Sequence, residues 1–168
     1  LARTAPPIAD ETAPLALVAD KPVRIAVAQD KAFCFYYADN FDVLRALGAE
    51  LVPFSPLTDA TLPKDIDGLY LGGGYPEVHK EQLAANHIMR DSIRAAVQGG
   101  LPTIAECGGF LYLHRTLDGA EMAGVLDADA TLTKKLQPFG YVTLTARRDN
   151  LLCRAGEQVR AHAFHYAV

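Results

Sequence analysis

Along the middle of the chain, short runs of apolar and often β-branched residues alternate with segments in which apolar residues recur at helical spacing. A short apolar run of this kind is typical of a strand that is buried on both faces. Four such runs occupy residues 23–28, 51–54, 68–71 and 103–106. Strands that alternate with helices favour right-handed crossovers, so we predict a parallel sheet with helices on both faces.

Two segments between these runs are predicted to be helical. In the first, Asp39 is expected to cap the N-terminus, because its carboxylate can accept hydrogen bonds from free N–H groups. Gly48 follows the last turn of this helix, where glycine tolerates the left-handed conformation. The second helical region spans about 81–98 with a break near Asn86, and it ends at two glycines.

The last third of the chain lacks helical spacing. Four strand-like segments follow one another there, at residues 122–125, 131–133, 141–146 and 159–166. Strands without intervening helices are typical of antiparallel pairing, so we predict an antiparallel extension or edge on the parallel core. At the other end, residues 1–22 contain four prolines and no sustained apolar period, which indicates a linker that precedes a single domain over residues 23–168.

Composition narrows the class of protein. Of the 168 residues, 50% are hydrophobic and 21% are charged, with a formal net charge of −4, as in an ordinary globular domain. No apolar run approaches the roughly 20 residues of a membrane span. Mild acidity with scattered basic residues argues against a nucleic-acid partner.

Three cysteines and no signal-like N-terminus favour a reducing cytoplasm. Neither end resembles a natural terminus, so we expect a piece of a longer protein.

The strongest chemical signal follows the fourth predicted strand. There Cys107 is flanked two residues away by Ala105 and Gly109, and a helix is expected to begin at once. This is the pattern of a nucleophile elbow, a turn so tight that only small flanking residues fit. It would lift the sulfur above the sheet edge and aim a helix N-terminus at it, which favours a thiolate. The alternative, a small buried cysteine at a strand end, is the better interpretation for Cys34 and Cys153, which lack such a setting.

A run of three glycines, Gly72 to Gly74, directly follows the third predicted strand. Consecutive glycines let backbone N–H groups approach a ligand without obstruction by side chains. A Walker phosphate loop is excluded because no Gly-Lys-Ser/Thr sequence follows, and an ordinary turn is the simplest alternative. Paired with the elbow, the N–H of Gly73 or Gly74 and the N–H of Gly108 would form an oxyanion hole.

These two segments belong to a larger set of motifs. The set comprises Val-Arg-Ile-Ala-Val-Ala from Val23, Gly-Gly-Gly-Tyr-Pro-Glu from Gly72, Ala-Glu-Cys-Gly-Gly from Ala105 and His-Ala-Phe-His-Tyr from His162, with shorter matches from Phe33, Leu51 and Gln137. Together they resemble the glutaminase domain of the cobyrinic acid a,c-diamide synthase family. The resemblance covers residues 23–168.

This resemblance implies a flavodoxin-like three-layer α/β sandwich, with a mostly parallel central sheet and antiparallel additions near the C-terminus. It also implies a triad-type glutamine amidotransferase that follows an N-terminal ATP-binding domain and amidates the a and c carboxylates of the corrin ring, using glutamine and MgATP. No cofactor is expected within this chain, because MgATP would bind the preceding domain. Cys107 would be the nucleophile, and Gly73 or Gly74 with Gly108 would form the oxyanion hole.

The histidines supply no obvious base. His162 and His165 are three residues apart in a predicted strand, so they point to opposite faces, and we interpret both as structural. His114 lies about two helical turns from the elbow. In the family that the chain resembles, the catalytic histidine lies further downstream, so we expect the base beyond Val168. The closing motif also departs from the family's His-Glu-Phe-His-Tyr-Ser, since alanines replace its acid and its serine.

Other candidates carry weaker signals. Glu77, in the loop after the glycines, could hold the α-amino group of glutamine, although a lone loop carboxylate is more often solvated. His79 and His87 are interpreted as surface residues, and no pair of histidines has a convincing metal-ligand spacing.

Three classes of function stay open. The first is a domain that forms a γ-glutamyl thioester on Cys107 and releases ammonia to a synthetase site. A related amidotransferase that acts on cobyric acid or nickel-sirohydrochlorin would share this chemistry. The second class is a different cysteine hydrolase with the same elbow, and the third is a catalytically silent binding module. Without the expected histidine, we expect this chain alone to hydrolyse glutamine slowly.

Overall fold

The structure, a computed structural model, describes residues 21–137 and 139–168. The predicted linker over residues 1–22 lies outside the described residues except for its last two positions. The elements in chain order are β1 (Val23–Ala28), β2 (Phe33–Phe35), α1 (Ala38–Ala46), β3 (Ala49–Phe54), β4 (Gly68–Leu71), β5 (Gly73–Gly74), α2 (Lys80–Ala85), α3 (His87–Gln98), β6 (Thr103–Ala105), α4 (Gly108–Tyr112), β7 (Thr116–Leu117), β8 (Ala120–Glu121), β9 (Asp129–Ala130), β10 (Gly140–Thr145) and β11 (Gln158–Ala163).

The centre of the fold is a four-stranded parallel sheet in the order β3-β1-β4-β6. From β1 the chain moves to one side to form β3 and then returns to the other side to form β4 and β6. Right-handed crossovers therefore place α1 on one face of the sheet and α2 with α3 on the other. This strand order is that of flavodoxin-like folds, so the predicted α/β fold with a parallel central sheet is confirmed.

The first helix begins two residues earlier than the capping signal predicts. Its N-cap is Tyr37, which has an extended backbone and makes no capping hydrogen bond with its side chain. The prediction that Asp39 caps this helix is wrong: Asp39 lies inside the first turn, where its charge is still favourable near the helix N-terminus. Gly48 adopts a φ of +100°, as the predicted helix stop requires.

The break at Asn86 is confirmed, and its side chain explains it. Its Oδ1 accepts a hydrogen bond from the N–H of Met89, which caps α3. Its Nδ2 donates to the carbonyls of Pro56, at 2.9 Å, and Asp59, at 2.8 Å. Asn86 thus lies between α2 and α3, and its side chain caps α3 and ties this junction to the loop after β3.

The predicted antiparallel additions near the C-terminus are confirmed, although the individual strands differ from those predicted. Strands β10 and β11 pair over residues 140–145 and 158–163 as a separate two-stranded sheet rather than as an edge of the parallel sheet. The strands predicted at residues 122–125 and 131–133 are wrong, because β8 and β9 are two-residue strands just before them. Residues 164–166 lie beyond β11, and the carbonyl of Tyr166 accepts a hydrogen bond from the N–H of Thr133.

The hydrophobic core lies around the parallel sheet and extends along the chain from Ala26 to Ala130. Its largest fully buried side chains are those of Tyr112, Phe33, Leu69, Leu71, Leu83, Met89 and Ile93. Among the described residues, the helices are all too short or too polar to cross a membrane.

Candidate active site

Cys107 lies between the end of β6 and the start of α4, at the carboxyl edge of the parallel sheet. Its backbone has φ 48° and ψ −112°, a region that residues with a side chain rarely adopt. Such strain persists only where the surroundings impose it, and it clusters at functional sites. The Cys107 side chain is nonetheless exposed. The predicted strand-turn-helix setting of this cysteine is therefore confirmed.

Glycines on the far side of the turn let the elbow pack against the end of β4. The N–H of Gly109 donates to the carbonyls of Gly72 and Glu106, each at 2.9 Å. A Cβ at Gly109 would overlap the carbonyl of Leu71, and a Cβ at Gly108 would lie 2.9 Å from Cδ of Pro76. The turn therefore requires glycine at Gly109, as the elbow pattern predicts, and it leaves little room for a side chain at Gly108.

The glycine loop lies directly beside the elbow. Gly73 and Gly74 form β5, which pairs antiparallel with β2. A Cβ built on Gly73 would lie 3.7 Å from Cβ of Cys107, and one built on Gly108 would lie 3.1 Å from the backbone nitrogen of Gly74. The structure thus brings together the four residues that the sequence assigns to the nucleophile and the oxyanion hole. Backbone N–H groups in such a position can stabilise charge that develops on an oxygen near the sulfur.

Glu77, the fifth predicted site residue, lies in the turn between β5 and α2 and is half-buried. Its contact with the α-amino group of glutamine stays a prediction.

Two residues that the sequence did not indicate, Asp30 and Tyr36, stabilise the loops at the carboxyl edge of the parallel sheet. Asp30, in the turn after β1, accepts hydrogen bonds at Oδ1 from the N–H groups of Ala32, at 2.8 Å, and Phe33, at 3.1 Å. Its Oδ2 accepts from Oγ of Ser55, at 2.8 Å, and from the N–H of Leu57, at 3.0 Å. These four hydrogen bonds join the loops after β1 and β3 and hold β2 in place for its pairing with β5.

Tyr36 is the second such residue. Its hydroxyl donates to the carbonyl of Ala28, at the end of β1, and accepts from the N–H of Gly72 at 3.0 Å. Burial is the main cause that raises the pKa of Tyr36 to about 12. The aromatic run before α1 is the only sequence signal for this residue, and it does not reveal where the hydroxyl points.

A hydrogen bond also holds Glu106, the residue before the nucleophile. The hydroxyl of Tyr70, in β4, donates to Oε1 of Glu106 at 2.9 Å. Burial, followed by this hydrogen bond, raises the pKa of Tyr70 above its ordinary value. The carboxylate of Glu106 is therefore oriented toward β4 even though the residue is exposed.

The histidines make contacts of their own. Nδ1 of His114 lies 2.9 Å from the carbonyl of Phe110, one turn back in the chain. Nδ1 of His165 lies 2.9 Å from the carbonyl of Ala167. His162, in β11, is exposed, and its ring packs edge-on against Tyr141 with centroids 5.4 Å apart. Over residues 21–137 and 139–168, no group of three or more His, Cys, Asp or Glu residues is arranged to hold a metal ion.

Comparisons with known proteins place these features in a family context. A family profile described as the CobB/CobQ-like glutamine amidotransferase domain matches residues 24–168. The chain is 47% identical over 153 residues to a cobyrinate a,c-diamide synthase from Caldanaerobacter subterraneus, a match that covers 88% of this chain and 34% of that protein. It is 41% identical over 176 residues to the synthase of the same name from Dehalococcoides mccartyi, covering 99% of this chain and 38% of that protein. The chain thus spans about a third of the length of these relatives.

A solved structure supports the fold. The fold is similar to the structure of PurLQS from Thermotoga maritima, with a TM-score of 0.59 and 18% sequence identity. The match covers 88% of this chain and 68% of the chain it matches. At this identity the likeness shows the fold alone.

Proposed function

The chain belongs to the CobB/CobQ-like glutamine amidotransferase family, and from this premise we propose that it hydrolyses glutamine through a γ-glutamyl thioester on Cys107. The observation that carries the proposal is the strained backbone of this exposed cysteine, which lies at the end of a parallel strand and against two glycine-rich segments.

In the proposed reaction the thiolate of Cys107 attacks the side-chain amide carbon of glutamine and forms a carbon–sulfur bond. The carbonyl oxygen becomes an oxyanion, which accepts hydrogen bonds from the N–H of Gly73 or Gly74 and from that of Gly108. Collapse of this intermediate breaks the carbon–nitrogen bond, and the nitrogen leaves as ammonia after a general acid protonates it. Water then hydrolyses the thioester, which releases glutamate and restores the thiol. Glu77 would hold the α-amino group of the substrate.

For the whole protein we propose the activity of its named relatives, cobyrinate a,c-diamide synthases. In that assignment an ATP-binding domain precedes this one, binds MgATP and the corrin substrate, and receives the ammonia. Support comes from an identity of 47% to a synthase of which this chain covers only 34%. The residues that select the corrin would then belong to the other part of the protein.

The nucleophile is tested by covalent labelling. In a polypeptide of the length of the relatives, which would include the proposed base, we expect 6-diazo-5-oxonorleucine, a reactive glutamine analogue, to add to Cys107, because this sulfur lies beside the proposed oxyanion hole. Cys34 is the matched control, since it lies in β2 rather than at an elbow and, contrary to the prediction that it is buried, it is exposed like Cys107. Peptide mass spectrometry should find the adduct in the wild type and in Cys34→Ala, and none in Cys107→Ala. An adduct on Cys34, or glutamine hydrolysis retained by Cys107→Ala, would refute the assignment.

We further propose that the general acid and base is a histidine beyond Val168. In support, His114 and His165 hold nearby backbone carbonyls, and His162 packs against aromatic rings of the β10–β11 sheet. General acid–base catalysis is worth about 10²–10⁴ in rate. We therefore expect residues 1–168 to release ammonia from glutamine at least about 100-fold more slowly than a polypeptide of the length of the relatives. Equal rates would show that His162, His165 or another residue of this chain is the base.

A further inference from the structure

The peptide groups on either side of Gly72 are held by hydrogen bonds at three points. The carbonyl of Leu71 accepts from the N–H of Glu106 at 3.0 Å, and the carbonyl of Gly72 accepts from the N–H of Gly109 at 2.9 Å. Both of these bonds come from the elbow. The third comes from outside it, because the N–H of Gly72 donates to the hydroxyl of Tyr36 at 3.0 Å.

The hydroxyl of Tyr36 is well suited to fix this loop. A phenol has one hydrogen to donate, and here it goes to the carbonyl of Ala28, so a lone pair is left for the N–H of Gly72. The fit is close, since a Cβ on Gly72 would overlap the Tyr36 ring. The glycine at this position thus allows the ring to lie against the backbone of the loop.

Packing holds the ring itself. The Tyr36 ring lies 5.1 Å from that of Phe41, in α1, and 5.3 Å edge-on from that of Tyr70, in β4. Aromatic pairs at these separations and angles are favourable. Because burial raises the pKa of Tyr36 to about 12, its hydroxyl remains a donor throughout the neutral range. The hydrogen-bonded link from β1 to the glycine loop is therefore retained throughout the neutral pH range.

We propose that Tyr36 is a positioning residue, which acts through Gly72 to orient the N–H groups of Gly73 and Gly74 toward the reacting carbonyl oxygen. The proposal rests on the function proposed above. Tyr36 touches neither Cys107 nor the substrate in this role. Its contribution is to fix the loop before glutamine binds, so that no reorganisation is required when negative charge develops.

The test is Tyr36→Phe, which removes one oxygen and keeps the ring, in a polypeptide of the length of the relatives. The N–H of Gly72 and the carbonyl of Ala28 then lose their shared partner, and the loop can rotate. Loss of one oxyanion donor costs about 10²–10³ in rate, so a misaligned donor should cost about 10- to 100-fold. We expect the maximal rate of Cys107 alkylation by 6-diazo-5-oxonorleucine to fall by this factor. The concentration for half-maximal rate should change less than about twofold, because binding contacts are kept.

Two controls separate positioning from general damage. Tyr37→Phe makes the same chemical change one residue later, at a side chain that is 63% exposed, and should alkylate like the wild type. Alkylation by iodoacetamide, which does not depend on the oxyanion hole, should be equally fast in all three proteins.

Each remaining outcome has a distinct meaning. An unchanged maximal rate in Tyr36→Phe overturns the positioning role while Cys107 keeps its own. Slower reaction with both reagents overturns it too, because the variant would then have lost the structure of the elbow. Failure of the wild-type protein to react with the glutamine analogue at Cys107 refutes the proposed function, and the role of Tyr36 falls with it.

Discussion

At the scale of single residues, the site depends on a cysteine whose backbone is strained and on glycines that make the strain possible. Cys107 has a positive φ without being a glycine, and the elbow contacts around it hold it there. Because Gly109 approaches the carbonyl of Leu71 so closely, α4 can begin directly against the end of β4. A larger residue would push the nucleophile away from the glycine loop.

This close approach predicts a large effect of Gly109→Ala. The new Cβ would overlap a backbone carbonyl, which cannot move without displacing β4, so we expect a loss of about 3 kcal/mol in the free energy of unfolding. Gly68→Ala is the matched control, since a Cβ there would lie 3.5 Å from the carbonyl of Pro102, an ordinary contact, and it should stay within about 1 kcal/mol of the wild type. Urea unfolding of both variants measures the difference. A loss for Gly109→Ala as small as that expected for the control would mean that the elbow tolerates a side chain.

At the scale of elements, the first two thirds of the chain could be predicted because local signals agree with the fold. The apolar run from Val23 to Ala28 and that from Gly68 to Leu71 are strands with the predicted bounds. Both lie in a parallel sheet, where burial on two faces makes the apolar pattern continuous. Asp39 misled the assignment of a helix start because a carboxylate is favourable both at a cap and in the first turn.

The last third was harder to predict, because its short strands are set by distant backbone partners rather than by periodicity. The N–H groups of Met122 and Ala123 donate to the carbonyls of Arg115 and Tyr112, so this apolar segment lies against the end of α4 instead of forming a strand. Backbone groups of residues 165–168 form hydrogen bonds or a bridge with residues 131–137, and each pair is more than 25 positions apart in the sequence. Such long-range pairings produce no local sequence pattern from which the strands could be predicted.

At the scale of the whole molecule, the site forms where the loops after parallel strands meet. The sequence predicts that Cys107 and the glycine loop are neighbours, because β4 and β6 end at the same edge of the sheet. It does not predict the supports of Asp30 and Tyr36. The longer hydrogen bonds of these two residues join groups that are 25 to 36 positions apart in the sequence. These bonds also depend on the direction of the side chains, which composition and spacing do not specify.

Buried tyrosines make the stability of the molecule sensitive to alkaline pH. Tyr36, Tyr70 and Tyr112 come from three different elements or loops, and burial is the largest cause of a raised pKa in each, with Tyr36 near 12 against an ordinary value of 10.0. Below pH 10 the tyrosines are protonated in both states, so their contribution to stability is complete. Between about pH 10 and pH 12 the unfolded chain has lost these protons and the folded chain retains them, so the free energy of unfolding falls as the pH rises.

We therefore expect the thermal unfolding midpoint to decrease more steeply between pH 10 and pH 11.5 than between pH 8 and pH 9.5. Tyr70→Phe removes one of the three late-ionising hydroxyls, so its midpoint should decrease less steeply in the upper range. Tyr141→Phe is the control for loss of a tyrosine as such, because that side chain is 94% exposed, and it should follow the wild type. Absorbance at 295 nm, followed in the same samples, reports tyrosinate directly and should show the last ionisations coinciding with unfolding. A Tyr70→Phe protein that loses stability as steeply as the wild type would show that these buried phenols do not set the alkaline limit, and that other groups, such as the lysines, do.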